Sequence, residues 1–210
     1  AEDPGPASVP EVETIPANPT IPPTKRERFT APHIVTARVY STGEIGADAL
    51  RVALDVAQST FVAASVEITW KICSPGDCNT PPSPGELLIR FMQSRGRHLD
   101  IRCLGEALID KQKGLGVLAT VYVDRVLHLA RNLELDHSIL LGRTIAHEIG
   151  HLLLGTSTHG ELGLMREVWS RHELTGDQSD HWALQPFEVA AIRKRISVSR
   201  QGEQRITTRY

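Results

Sequence analysis

Two histidines four residues apart, with a glutamate directly after the first, have the makings of metal-assisted hydrolysis. Here they are His147, Glu148 and His151, in the run His147-Glu148-Ile149-Gly150-His151. On a helix, at ~100° and ~1.5 Å per residue, the two imidazoles point the same way about one turn apart. Both can then bind one Zn²⁺ at roughly 2.0–2.1 Å. Glu148 can reach a metal-bound water without being a ligand, which is the place of a general base. The same three residues on an ordinary amphipathic helix would be only a polar, wet face, so their surroundings must decide.

A catalytic zinc site takes a third protein ligand and keeps a position open. Two residues downstream compete for that role. His159 follows just past Gly155, a natural helix stop, and Thr156–Thr158 can return the chain toward the metal. Glu173 would need a second helix to present it, and its segment Arg171–Asp177 carries Gly176 and little apolar periodicity. His159 is therefore the preferred third ligand, with Glu173 the alternative.

The elements that must position these residues follow from periodicity. His33–Tyr40 alternates apolar and polar residues and predicts a strand. Glu44–Ala64 carries Leu50, Ala53, Leu54, Ala57 and Phe61 at helical spacing. Ser65–Cys73, Glu86–Met92 and Leu115–Asp124 predict three more strands, with 93–114 irregular between the last two. A short helix is expected over Arg125–Asn132. Asp136 or Ser138 can cap the next helix, which runs to Leu154 with Ile139, Leu140, Ile145, Ile149, Leu152 and Leu153 facing a core. Pro186 opens a last helix to about Ser197. The expected fold is α+β: a twisted sheet of about four strands, a backing helix, a motif-bearing helix and a small C-terminal subdomain ending in a helix.

The run from His147 through Gly155 to His159, followed by Gly163-Leu164-Met165, resembles the metzincin clan of zinc metallopeptidases, and most closely its matrixin-like bacterial members. The resemblance implies a zincin-like fold, His147, His151 and His159 as zinc ligands, Glu148 as general base, Gly155 as the turn glycine and Met165 as the Met-turn residue beneath the metal. The clan's glycine falls three residues after the second histidine; here Leu154 stands there and Gly155 follows. Ser157 occupies the place of the clan's third histidine, so the motif is lengthened. No tyrosine follows Met165 closely; His172 or His181 could stabilise an oxyanion instead.

Bulk properties fit this reading. The 210 residues, 40% of them hydrophobic, suit one domain with a substantial core. A net charge of −2 gives no field for nucleic acid, and no apolar run approaches the ~20 residues of a membrane span. Residues 1–32 hold eight of the thirteen prolines and are expected to be a disordered leader. The domain is expected at 33–200, with a tail at 201–210. Cys73 and Cys78 bracket the turn sequence Ser-Pro-Gly-Asp, which permits a disulfide and favours an extracellular or periplasmic location; Cys103 is then the odd thiol.

The function expected is that of a monomeric zinc endopeptidase acting on a peptide or protein held extended along a sheet edge, Leu115–Asp124, by β-augmentation. The alternatives are a zinc-stabilised binding module without turnover, a hydrolase of the gluzincin type using Glu173, and a latent enzyme whose site is closed by the leader or by Cys103.

Overall fold

The structure, a computed structural model, describes residues 31–41, 43, 45–74, 76, 78–94, 102–110, 115–176 and 179–207. The expected leader therefore lies outside the described residues, apart from its last two positions. Five strands form one mixed sheet: β1 (His33–Tyr40), β2 (Val66–Cys73), β3 (Leu87–Met92), β4 (Gly105–Asp110) and β5 (Leu115–Tyr122). Their spatial order is β2-β1-β3-β5-β4. β1 pairs in parallel with β2 and β3, β3 with β5, and only β4 runs antiparallel, against β5.

Alternation explains the inner strands. Leu87, Ile89 and Phe91 of β3 are buried while Leu88, Arg90 and Met92 are half-buried on the other face. On the buried face lie helix α1 (Ala47–Phe61) and helix α3 (His137–Leu154), packed against each other. The residues of α1 read as apolar by spacing, Leu50, Ala53, Leu54, Ala57 and Phe61, are those it buries. Each large apolar side chain so buried contributes about 1.5–3 kcal/mol.

Helix α3 is buried nearly all round, with Ile145, Ala146 and Ile149 fully inaccessible. Such a helix needs capped ends, because its terminal amides and carbonyls have no water to turn to. Asp136 caps the start, its Oδ1 accepting from the backbone N–H of Ser138 at 2.7 Å and of Ile139 at 3.3 Å. At the other end Arg195 donates to the carbonyl of Leu153 at 2.9 Å. Arg195 lies on the last helix, α5 (Pro186–Thr207), which runs beyond Ser197 and takes in most of the expected tail. Helix α2 (Val123–Leu133) joins β5 to α3, and a single turn, α4 (Arg171–Thr175), lies between α3 and α5.

Two expectations are corrected. The sheet has five strands, because β4 emerges from the segment read as irregular. Its apolar Leu108 points outward and is 59% exposed, so the inside-apolar alternation that marks a strand is broken. Consequently Leu115–Asp124 does not supply an edge: β5 lies between β3 and β4, its strand ends at Tyr122, and β4 is the edge strand at that end of the sheet. The Cys73–Cys78 disulfide is formed, with Cα atoms 5.7 Å apart, and Cys103 is a free thiol. No helix among the described residues is long and apolar enough to cross a membrane.

Candidate metal centre

His147, Glu148 and His151 sit on the last two turns of α3. The helix stops at Gly155, whose φ of 64° is the left-handed conformation that glycine adopts without a Cβ penalty. The next residues are not helical. The Thr156 hydroxyl accepts from the backbone N–H of Thr158 at 3.1 Å, a tight turn that sends the chain back over the helix end. The extra residue of the lengthened motif is absorbed in that turn, so it does not rotate the following side chain by a helical step. His159 arrives beside His151. Immediately after it, the Gly160 N–H donates to the Met165 carbonyl at 2.8 Å and closes the loop that brings Met165 back against α3. Met165 is buried, its sulfur lying where a side chain at Gly150 would begin.

The three imidazoles converge through their Nε2 atoms. His147 and His151 Nε2 are 3.1 Å apart, and His151 and His159 Nε2 are 3.2 Å apart. Backbone carbonyls determine the tautomers. His147 Nδ1 lies 2.8 Å from the Leu164 carbonyl, and His151 Nδ1 lies 2.9 Å from the Thr156 carbonyl. A carbonyl can only accept, so in each neutral ring the proton is on Nδ1 and Nε2 is a bare lone pair. Burial, reinforced by the neighbouring His151, pushes His147 down to about 3; burial also takes His151 to about 4 and lowers His159.

The two unprotonated nitrogens of His147 and His151 face each other and repel unless a cation lies between them. Two nitrogens on a tetrahedral ion at 2.0–2.1 Å stand roughly 3.3 Å apart, close to the observed spacings. The donor set thus fits a zinc-sized ion. Among the described residues these three are the only cluster of three or more histidine, cysteine or acidic groups so arranged.

Glu148 is 4% exposed and faces the cluster's cavity. Its Oε2 is buried without a hydrogen-bond partner among the described residues. Burial, with a smaller contribution from the charge of Glu106, raises its carboxyl to about 8. A divalent cation at the Nε2 cluster would act in the opposite direction and favour the carboxylate. The cavity is about 500 Å³, bounded by Leu104, Gly105 and Ala107 of the edge region and by Val168 and Trp169 beyond Met165.

Glu173 lies elsewhere. Its carboxylate accepts from the Ser170 backbone N–H at 2.7 Å and the Ser170 hydroxyl at 2.6 Å, completing a capping box on α4, and it pairs with Arg166. His172 and His181 stand 6.2 Å from each other, and neither lines the cavity. Two lining residues, Trp169 and Gly105, carry no signal in the sequence. Trp169 stands nearly perpendicular to His147, with ring centroids 5.5 Å apart. Cys103, expected as the odd thiol, also lines the cavity, and its Sγ donates to the Gly105 carbonyl at 3.0 Å. Gly105 lies against Glu148. Nothing in their spacing marks them, because each reaches the site through strand pairing or a loop.

No protein-family model matches the chain, and no curated protein does. Among solved structures it is similar to archaemetzincin from Methanopyrus kandleri, with 14% identity over 79% of this chain and 96% of that one and a TM-score of 0.53. The fold is zincin-like. A second similar structure is metalloproteinase-II from Bacteroides fragilis, with 13% identity, 79% of this chain covered and a TM-score of 0.49; the chain spans 54% of that protein's length. At 14% identity the likeness to the first structure carries the fold and no subtype; it gives no support to the matrixin-like one.

Proposed function

We propose that this chain is a zinc-dependent endopeptidase in which His147, His151 and His159 hold the ion and Glu148 is the general base. The observation that carries the reading is the pairing of three convergent Nε2 atoms with a buried carboxylate whose Oε2 has no partner among the described residues. When bound, zinc supplies Lewis acidity, lowering the pKa of a water toward ~7 and polarising a carbonyl.

The chain's own residues do the rest. Glu148 accepts a proton at its unpartnered oxygen and passes it to the leaving amine. The carbonyls of Leu164 and Thr156 hold the two helix-borne imidazoles in one tautomer and one orientation, the usual task of groups behind metal ligands. Among the described residues no strand pairs with the outer side of β4, which lies beside the cavity; an extended peptide can add there as a further strand while one of its side chains enters the 500 Å³ space. The disulfide supports placing the enzyme outside the reducing cytosol.

Replacing Glu148 with Ala tests the assignment. Zinc content should be retained and casein hydrolysis should fall by 10²-fold or more. A mutant that digests casein at the wild-type rate would remove Glu148 from the mechanism.

A further inference from the structure

We infer that Gly105, on the edge strand, positions the Glu148 carboxylate: the side chain missing at 105 is the space in which the base rests. A Cβ built on Gly105 falls 2.6 Å from Glu148 Oε1 and 2.8 Å from Glu148 Cγ, far inside van der Waals contact. It also falls 2.8 Å from the Thr120 carbonyl oxygen of β5. No other described glycine puts a Cβ against a carboxylate this closely. Glu188, the other acidic neighbour of a glycine, is 3.4 Å from the Cβ position of Gly160.

The backbone at 105 has little room to retreat. Gly105 pairs with Val121 in the β4–β5 ladder, and the Tyr122 N–H donates to the Leu104 carbonyl at 2.9 Å. Arg125 of α2 donates to the Cys103 carbonyl at 2.8 Å, and the Cys103 thiol donates to the carbonyl of Gly105 itself. The strand is therefore tied on its sheet side and along its own backbone. Behind Glu148, α3 is buried nearly all round. A methyl group at 105 must be accommodated chiefly by the carboxylate, which would be driven toward or away from the histidine cluster. Displacing a reacting group by about 1 Å can cost 10²-fold in rate. The inference rests on Glu148 being the base, yet the contact itself can be read without any activity.

The experiment is a double-substitution cycle between positions 105 and 148. In the zinc-loaded enzyme, Gly105→Ala should lower kcat/KM on casein-derived peptide by about 10²-fold with zinc stoichiometry unchanged. Glu148→Asp, one methylene shorter, should lower activity when residue 105 is glycine and raise it at least tenfold when residue 105 is alanine. A merely structural glycine would show no such reversal of sign. In the metal-free protein, the melting temperature lost on Gly105→Ala should shrink by roughly 2–6 °C when residue 148 is alanine, because the Thr120 contact is common to both backgrounds and cancels.

Additive melting shifts, or wild-type activity in Gly105→Ala, overturn the proposal. If Gly105→Ala does not fold but Gly105→Ala with Glu148→Ala does, the carboxylate was the obstacle and the proposal stands. If neither folds, the Thr120 contact alone explains the glycine and the proposal fails. The metal-free arm reads the contact even if the chain proves not to hydrolyse peptides, so the two readings fail separately.

Discussion

Replacing Glu173 and His159 by alanine, one at a time, should separate structural support from metal binding. Glu173 holds α4 through the Ser170 capping box and pairs with Arg166, whose side chain is 36% exposed. Losing a cap costs about 1 kcal/mol, and losing a half-exposed ion pair costs up to about 1 kcal/mol. At 2–4 °C per kcal/mol for a domain of this size, Glu173→Ala should melt roughly 2–8 °C lower. Zinc content by elemental analysis should not change. His159→Ala should do the reverse, removing an exposed side chain at little cost to the metal-free protein but stripping zinc.

The Glu173 contribution also has a pH signature. Burial pushes its carboxyl up, but Ser170's hydroxyl and backbone N–H and the Arg166 guanidinium outweigh this and hold it at about 2. A group whose folded pKa lies below its unfolded value stabilises above the unfolded pKa, near 4.5, and loses that contribution as pH falls toward 2. The stability difference between wild type and Glu173→Ala should therefore be full at pH 6 and shrink between pH 4.5 and 2. Zinc lost from Glu173→Ala but retained by His159→Ala would refute the ligand set and the architecture proposed for it.

Other outcomes follow from the same structure. Met165→Ala should cost about 2–5 kcal/mol through the cavity left beneath Gly150, whereas Met165→Leu should cost less than about 1.5 kcal/mol, as read by denaturant titration. Reducing the Cys73–Cys78 disulfide should remove about 2 kcal/mol, seen as a lower melting temperature in thiol-containing buffer. Chelation should abolish casein hydrolysis and zinc should restore it; activity that survives exhaustive chelation, with metal absent by elemental analysis, would count against a metal-assisted reaction.

Much of this was legible in residue order because it is local. Helix α1 announces its buried face by spacing, and Asp136 and Gly155 mark the two ends of α3 by cap chemistry. The approach of His159 was legible in part, since Gly155 signals a reversal but not how far the next residues carry the chain. What could not be read depends on contacts distant in sequence. β4 hides because Leu108 faces out, and with it the identity of the sheet edge. Gly105 resembles any strand-end glycine until β4 is laid beside β5 and Glu148 packs against it. Trp169 reaches His147 only through the loop that carries Met165 past α3.

The three histidines span only residues 147–159, and this short span has an energetic consequence. Loop-closure entropy grows with the logarithm of loop length, so cross-linking a stretch this short removes little freedom from the unfolded chain. An ion bound there would draw its affinity from local geometry already in place and would contribute little as a cross-link between distant parts of the sheet. The cooperative unit that melts on heating is then the sheet with α1 and α3, and it should persist as a folded, refillable scaffold when the ion is withdrawn.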